Sequence, residues 1–232
     1  MRSTMKRKIH AIVPLNVPSK SKTRLSKRLN RIERTHLTLA MLANVLSALR
    51  GARKIATITV VCADRKTRPI VQEHDATFLW EGPRRGLNNA LNFALKRAPE
   101  DSSILIIHAD LPLLTSEDVN NLITSAENYP LALVPSKDKT GTNAILMHEP
   151  NIIRLAFGKE SFQRHINLAN QRRVYYKVIR INGIAFDVDE EDDLEELMQN
   201  STKPYEFLNQ IAPASSDEDS ITLPPLTQPQ SD

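Results

Sequence analysis

Apolar residues along the first 200 positions follow two alternating rhythms. Short runs at 9–13, 58–62, 77–80, 104–108, 131–135 and 144–147 read as strands. Between them, apolar positions return every three or four residues. Leu37, Met41, Leu42, Val45, Leu46 and Leu49 mark a helix over 31–50, with Gly51 just past its end. Leu87, Ala90, Leu91, Ala94 and Leu95 mark another over 86–97. Thr115 is placed to cap a helix over 116–128, with Asp118 in the position of the usual glutamate. A helix over 161–170, with Ser161 at its start, and an acidic helix over 190–199 follow. The segments 174–181 and 184–188 flank Asn182-Gly183, which predicts a β-hairpin.

Strands alternating with helices predict an α/β fold. We expect a three-layer, mostly parallel sheet covered on both faces, with some antiparallel pairing from the late hairpin. The division is a basic extension over 1–8, one domain over 9–200, and a polar tail over 201–232 with five prolines. Such a tail lacks the apolar content for a core and is expected to be disordered.

Composition narrows the function classes. No stretch approaches the roughly 20 apolar residues of a membrane span. The N-terminal residues lack the apolar stretch of a signal peptide. The single cysteine, Cys62, can form neither an internal disulfide nor a zinc cluster, and a cytoplasmic location is the simple reading. Charge is unevenly placed: residues 1–34 carry eleven Lys/Arg and one acid, while residues 187–232 carry thirteen Asp/Glu and one base. These ends are either solvated surfaces or a phosphate clamp facing a metal site. A basic arm would also attract nucleic acid. With 5% aromatics and no basic-aromatic interleaving, that reading is disfavoured.

The chemistry-bearing residues sit at predicted strand ends, where ligands bind in parallel α/β sheets. Neither a Gly-x-Gly-x-x-Gly fingerprint nor a Walker A lysine motif is present. Instead Lys20, Lys22 and Arg24 follow the first strand and suit a polyphosphate. Asp110 ends the most apolar run. Asp187 and Asp189, two apart on an expected strand, share one face. With Asp110 they would offer three oxygen ligands to Mg2+ carrying phosphates; Asp189 could equally cap the acidic helix. His108 reads as a packed histidine, and His165 is open between substrate and solvent. Gly86, Gly141 and Gly158 lie in loops near polar residues.

These motifs together resemble the 2-phospho-L-lactate guanylyltransferase family, whose product is a precursor of coenzyme F-420. The resemblance is carried by Val13-Pro-Leu-Asn-Val-Pro-Ser-Lys-Ser-Lys-Thr-Arg-Leu25, Gly86-Leu-Asn-Asn-Ala-Leu91, Ala109-Asp-Leu-Pro-Leu-Leu114, Gly141-Thr-Asn-Ala-Ile145, Phe157-Gly-Lys-Glu-Ser-Phe162 and Asp187-Val-Asp-Glu-Glu-Asp-Asp-Leu194. It runs from about residue 9 to 198. Asp-Leu-Pro is common to related nucleotidyltransferases; the Gly-Thr-Asn and Phe-Gly-x-x-Ser-Phe pair is more specific. The resemblance implies a nucleotide-diphospho-sugar transferase-like, Rossmann-like fold. It implies Asp110, Asp187 and Asp189 as Mg2+ ligands, and Thr142, Gly158 and Ser161 around the phosphorylated acid. Lys20, Lys22, Arg24, Gly86, Asn88 and Asn89 fall to the nucleotide, with Lys22, Arg24 and Asp110 catalytic. Many members have a lysine where this chain has Asn16. The expected partners are GTP and 2-phospho-L-lactate, phosphoenolpyruvate or 3-phosphoglycerate, with a homodimer left open. The alternatives are a nucleotidyltransferase for a molybdenum-cofactor or sugar-phosphate acceptor, and a nucleic-acid-binding protein.

Overall fold

The computed structural model describes residues 8–83, 86–99 and 101–199. The strands are β1 (Ile9–Leu15), β2 (Ile55–Cys62), β3 (Thr77–Trp80), β4 (Ser103–Ile107), β5 (Leu131–Pro135), β6 (Thr142–Met147) and β7 (Tyr176–Val178). They form one seven-stranded sheet in the order β3-β2-β1-β4-β6-β5-β7. Strand β6 runs antiparallel to β4 and β5, and the other pairings are parallel. Central strands β4, β5 and β6 are buried along their whole length, as continuous Val/Ile/Leu runs require when both faces are covered.

The helices are α1 (Arg31–Gly51), α2 (Arg68–Glu73), α3 (Leu87–Leu95), α4 (Ser116–Ala126), α5 (Ser161–Gln171), α6 (Asn182–Ala185) and α7 (Glu191–Gln199). Leu42, Val45, Leu46 and Leu49 of α1, Val71 of α2 and Val119, Leu122 and Ile123 of α4 cover one sheet face. Ala90, Leu91, Ala94 and Leu95 of α3 and Ala169 of α5 cover the other. The three-layer expectation therefore holds. Asn30 caps α1 with a reciprocal bond to Glu33, and Thr115 caps α4 with Asp118 answering. Among the described residues no helix is long and apolar enough to cross a membrane.

The expected β-hairpin around Asn182-Gly183 is not formed. Those two residues open the one-turn helix α6, and Phe186–Asp189 continues as extended chain without strand partners. Antiparallel pairing comes from β6 instead. The glycine is required by a close approach rather than a turn. A Cβ on Gly183 would meet the Asp118 carboxylate and lie 2.8 Å from the Leu113 carbonyl oxygen. Gly183→Ala should therefore cost about 1–3 kcal/mol as an overpacking change. A shifted urea midpoint at constant slope would show it.

A third apolar cluster positions the site. Leu25 and Leu29 from the loop after β1 pack with Leu37 and Met41 of α1, and with Phe186, Val188, Leu194 and Leu197 from the chain's acidic end. The lysine-rich loop is thus anchored by its leucines, with its charges turned toward the acids around α7. The expected 1–8 extension, apart from Lys8, and the tail from 201 lie outside the described residues.

Candidate active site

Lys22 stands at the centre of the polar cluster beyond β1 and β4. Its backbone is left-handed, with φ of 52°, directly before a short 3-10 turn over Thr23–Lys27. The ammonium donates to Asp110 Oδ2 at 2.6 Å and to Asp189 Oδ1 at 2.8 Å, and the side chain is 6% exposed. Burial alone would lower the pKa of this amine; the Asp110 and Asp189 carboxylates outweigh it and hold the pKa above the ordinary lysine value. Burial likewise pushes Asp110 upward, but Lys22 and then His108 bring it below the usual carboxylate range. Asp187 goes the other way. Burial, and then the Asp110 charge, raise it to about 6.

Asp189 does not cap α7. The Asp193 carboxylate accepts from the backbone N–H groups of Asp189 and Glu190, leaving the Asp189 carboxylate for Lys22. Asp187 is held by Asn143, whose amide donates to its Oδ1 at 3.0 Å and also to the carbonyls of Ile184 and Ala185. Asn143 was part of the Gly-Thr-Asn motif but carried no role; its work is to fix the chain around Asp187.

A divalent cation can be tested against these groups. Among the described residues the acids do not close into a three-ligand cage. Asp110 and Asp189 share Lys22, and Asp187 turns to Asn143. Yet Asp110 Oδ1 is buried with no hydrogen-bond partner among the described residues. Three carboxylates around the one ammonium of Lys22 also leave the cluster with an excess of negative charge. A bare carboxylate oxygen amid excess negative charge fits a hard cation whose remaining ligands are phosphates and water. His108 was expected to be packed. It is packed on Phe157 at 5.4 Å between centroids, and its Nδ1 also lies 3.9 Å from Asp110 Oδ1. Burial lowers its pKa, against the pull of Asp110.

The second cluster lies at the start of β6. Thr142 and Ser161 are buried, at 1% and 2% exposed. Ser161 does not cap α5 through its side chain, because it is the first helical residue and Glu160 holds the cap position. Its hydroxyl instead donates to Thr142 Oγ1 at 3.4 Å. His165 is fully buried and accepts the Ala156 N–H on Nε2, so its proton sits on Nδ1 and is donated to Thr142 Oγ1 at 3.0 Å. With both lone pairs of Thr142 engaged, its own hydroxyl proton is left as a donor. Gly158 has φ of +114°, a conformation closed to other residues, and its carbonyl accepts from Ser161 N–H. Phe157 packs between His108 and His165 and so links this cluster to Asp110.

Burial, and then the Arg164 charge, lower His165 to about 4. A histidine with a depressed folded pKa stabilises fully above its unfolded value near 6.5 and loses that contribution as pH falls toward 4. The stability difference between the parent and His165→Asn should therefore shrink by about 3 kcal/mol from pH 7 to pH 4. Denaturant melts at the two pH values measure it. Taking the difference removes the opposite contribution of Asp187, whose pKa is raised.

The expected nucleotide residues divide. Gly86 and Asn16 line a small cleft of about 40 Å³ between the end of β1 and the start of α3, and Asn89 is exposed on the first turn of α3. Asn88 is spent on scaffolding: its amide exchanges two hydrogen bonds with the Phe157 backbone, at 2.8 and 3.0 Å. Lys20 is exposed. Arg24 points outward and pairs with Glu190 at 3.0 Å, both side chains more than two-thirds exposed. Arg28 pairs similarly with Glu195. The basic loop and acidic end therefore face each other.

Comparison with known proteins gives one consistent answer. Residues 9–223 match the family described as guanylyl transferase CofC like, which extends the likeness past residue 198 into the tail. A protein of Sphaerobacter thermophilus named phosphoenolpyruvate guanylyltransferase is 36% identical over 81% of this chain and 91% of its own. A Methanothermobacter thermautotrophicus protein named 2-phospho-L-lactate guanylyltransferase is 32% identical over 87% of this chain and 90% of its own. A solved Desulfovibrio desulfuricans structure, described as a nucleotide-diphospho-sugar transferase, superimposes with a TM-score of 0.70 at 17% identity, covering 88% of this chain and 95% of that one. Its fold is the one that the family resemblance implies. The chain belongs to the CofC-like guanylyl transferase family.

Proposed function

We propose that this protein transfers GMP from GTP to the phosphate of a small 2-phospho acid, phosphoenolpyruvate or 2-phospho-L-lactate, releasing pyrophosphate and forming a precursor of coenzyme F-420. The observation that carries the reading is Lys22 bridging Asp110 and Asp189, at the strand ends where a triphosphate would lie. Two relatives of high coverage named as guanylyltransferases support it.

The nucleophile is an oxygen of the acceptor phosphate, attacking the α-phosphorus of GTP in line. A phosphomonoester has its second pKa near 6 and is largely dianionic at neutral pH, so no general base is needed. The barrier is repulsion between two anions. Bound by Asp110 with Asp187 or Asp189, Mg2+ would draw charge from the reacting phosphates. Lys22 places a fixed positive charge beside them. Thr142, Ser161 and the Gly158 loop hold the acceptor's anionic groups, and Thr142 donates the hydroxyl proton that His165 leaves available. Catalysis is then alignment and charge stabilisation.

The test is pyrophosphate release over a grid of nucleoside triphosphates and phosphorylated acceptors. Release with GTP and a three-carbon phospho-acid is expected. Release only with a sugar phosphate or molybdopterin-type acceptor would overturn the acceptor reading.

A further inference from the structure

We infer that Lys22 competes with the divalent cation for Asp110 and Asp189, so that the cation enters together with a nucleoside triphosphate and not before it. This rests on the guanylyl-transfer reading and adds to it the order in which cation and nucleotide bind. The ammonium lies 2.6 Å from Asp110 Oδ2 and 2.8 Å from Asp189 Oδ1. One positive group thus draws together two of the three candidate cation ligands. Its side chain is only 6% exposed, so water screens these contacts little. Among the described residues the acids form no cluster that could hold a metal ion. The bridge supplies a cause, because oxygens that would face a cation face Lys22. Asp110 Oδ1 is left over, buried and without a hydrogen-bond partner among the described residues. A cation drawn to that oxygen would lie one carboxylate away from the ammonium, and like charges a few ångströms apart repel.

A triphosphate changes this balance in two ways. It offers the ammonium another anionic partner, and it carries the cation in on its own phosphates. Lys22 can then release a carboxylate and keep its charge beside the phosphates. The move needs only the side chain. Leu25 and Leu29 are buried against α1 and α7 and hold the loop, and the Leu25 N–H donates to the Lys22 carbonyl at 3.0 Å. The carboxylates are also held independently of the ammonium. The Asp189 N–H donates to Asp193 Oδ2 at 3.0 Å, and the Asn143 amide donates to Asp187 Oδ1 at 3.0 Å. They therefore stay in place for the cation when Lys22 turns away. Arg24 in the same loop provides the contrast. It pairs with Glu190, outside the three acids, and both side chains are exposed.

The inference predicts that removing a lysine improves cation binding, which simple damage to the fold cannot produce. Water-proton relaxation with Mn2+ as the probe reports the ion bound to the full-length protein, with no acceptor present. The parent should bind Mn2+ weakly alone and show strong relaxation enhancement once GTP is added. Lys22→Met should bind Mn2+ without GTP at least about tenfold more tightly than the parent, since the competing charge is gone. Arg24→Ala loses the same charge from the same loop and should match the parent. Melting gives a second readout: at saturation, Mn2+ alone should raise the melting temperature of Lys22→Met by about 5 °C or more and leave that of the parent almost unchanged. Full enhancement of the parent by Mn2+ alone, unchanged by GTP, overturns the inference with no variant needed. So does a folded Lys22→Met that binds Mn2+ no better than the parent, or an equal gain in Arg24→Ala, which would make it an effect of net charge. A parent that shows no enhancement even with GTP overturns the cation's part in the guanylyl-transfer reading and this inference together.

Discussion

Asp110→Asn should lose turnover by about 1000-fold or more, roughly 4 kcal/mol in the barrier, while remaining folded. The change is nearly isosteric, so packing is kept. What is lost is charge: an amide cannot hold a cation as a carboxylate does, and the oxygen now bare in the protein loses its negative charge. Two further signs should accompany the loss. Asp187, raised to about 6 partly by the Asp110 charge, should titrate closer to an ordinary carboxylate. KM for both substrates should change far less than kcat, because the charge is needed most as the phosphates approach each other. A variant retaining a tenth of parental turnover would remove Asp110 from the chemistry. Full parental activity in excess EDTA would remove the cation.

Lys22→Met should be nearly as severe and should also destabilise. The ammonium is buried and holds two carboxylates. Taking it away leaves like charges facing each other, and breaking a buried pair costs about 3–5 kcal/mol. The Asp189 side chain is about half exposed, so the lower end applies. GTP KM should rise and kcat fall, for a combined loss of about 100-fold or more in kcat/KM. Arg24→Ala is the internal contrast. Its pair with Glu190 is open to solvent on both sides and should contribute under 1 kcal/mol. Equal losses in the two variants would mean that the loop binds phosphate through its exposed face, not through the bridge.

The layered fold was legible because its strands are continuous apolar runs and its helices amphipathic at clear spacing. The hairpin was misread for a physical reason. Asn-Gly is permissive of a tight turn but does not require one. Here the glycine was selected by its lack of a side chain beside Asp118 and Leu113, a contact between distant segments. Asp110 was legible as a carboxylate just beyond an apolar strand, whereas Asp187 and Asp189 were expected on a strand that does not form. The role of Lys22 as their bridge was not, since sequence alone could not rank three basic residues in one loop. Leu25 decides it: fully buried three residues later, it fixes which side of the loop faces inward. Ser161 is expected at a helix start and, by resemblance, near the acceptor; its hydroxyl joins Thr142 and His165 in one network rather than capping α5. Asn88, taken for a nucleotide contact, ties α3 to the Phe157 backbone. These partner choices are made across the fold, which spacing does not encode.

Heavy-oxygen labelling of the acceptor's phosphate tests the central claim most directly. With GTP, Mg2+ and phosphoenolpyruvate labelled in its phosphate oxygens, attack on the α-phosphorus sends all of the label into the diphosphate-linked guanosine product. The pyrophosphate stays unlabelled and appears in equal amount. Labelled pyrophosphate, or pyrophosphate formed without a diphosphate-linked product, would contradict the account.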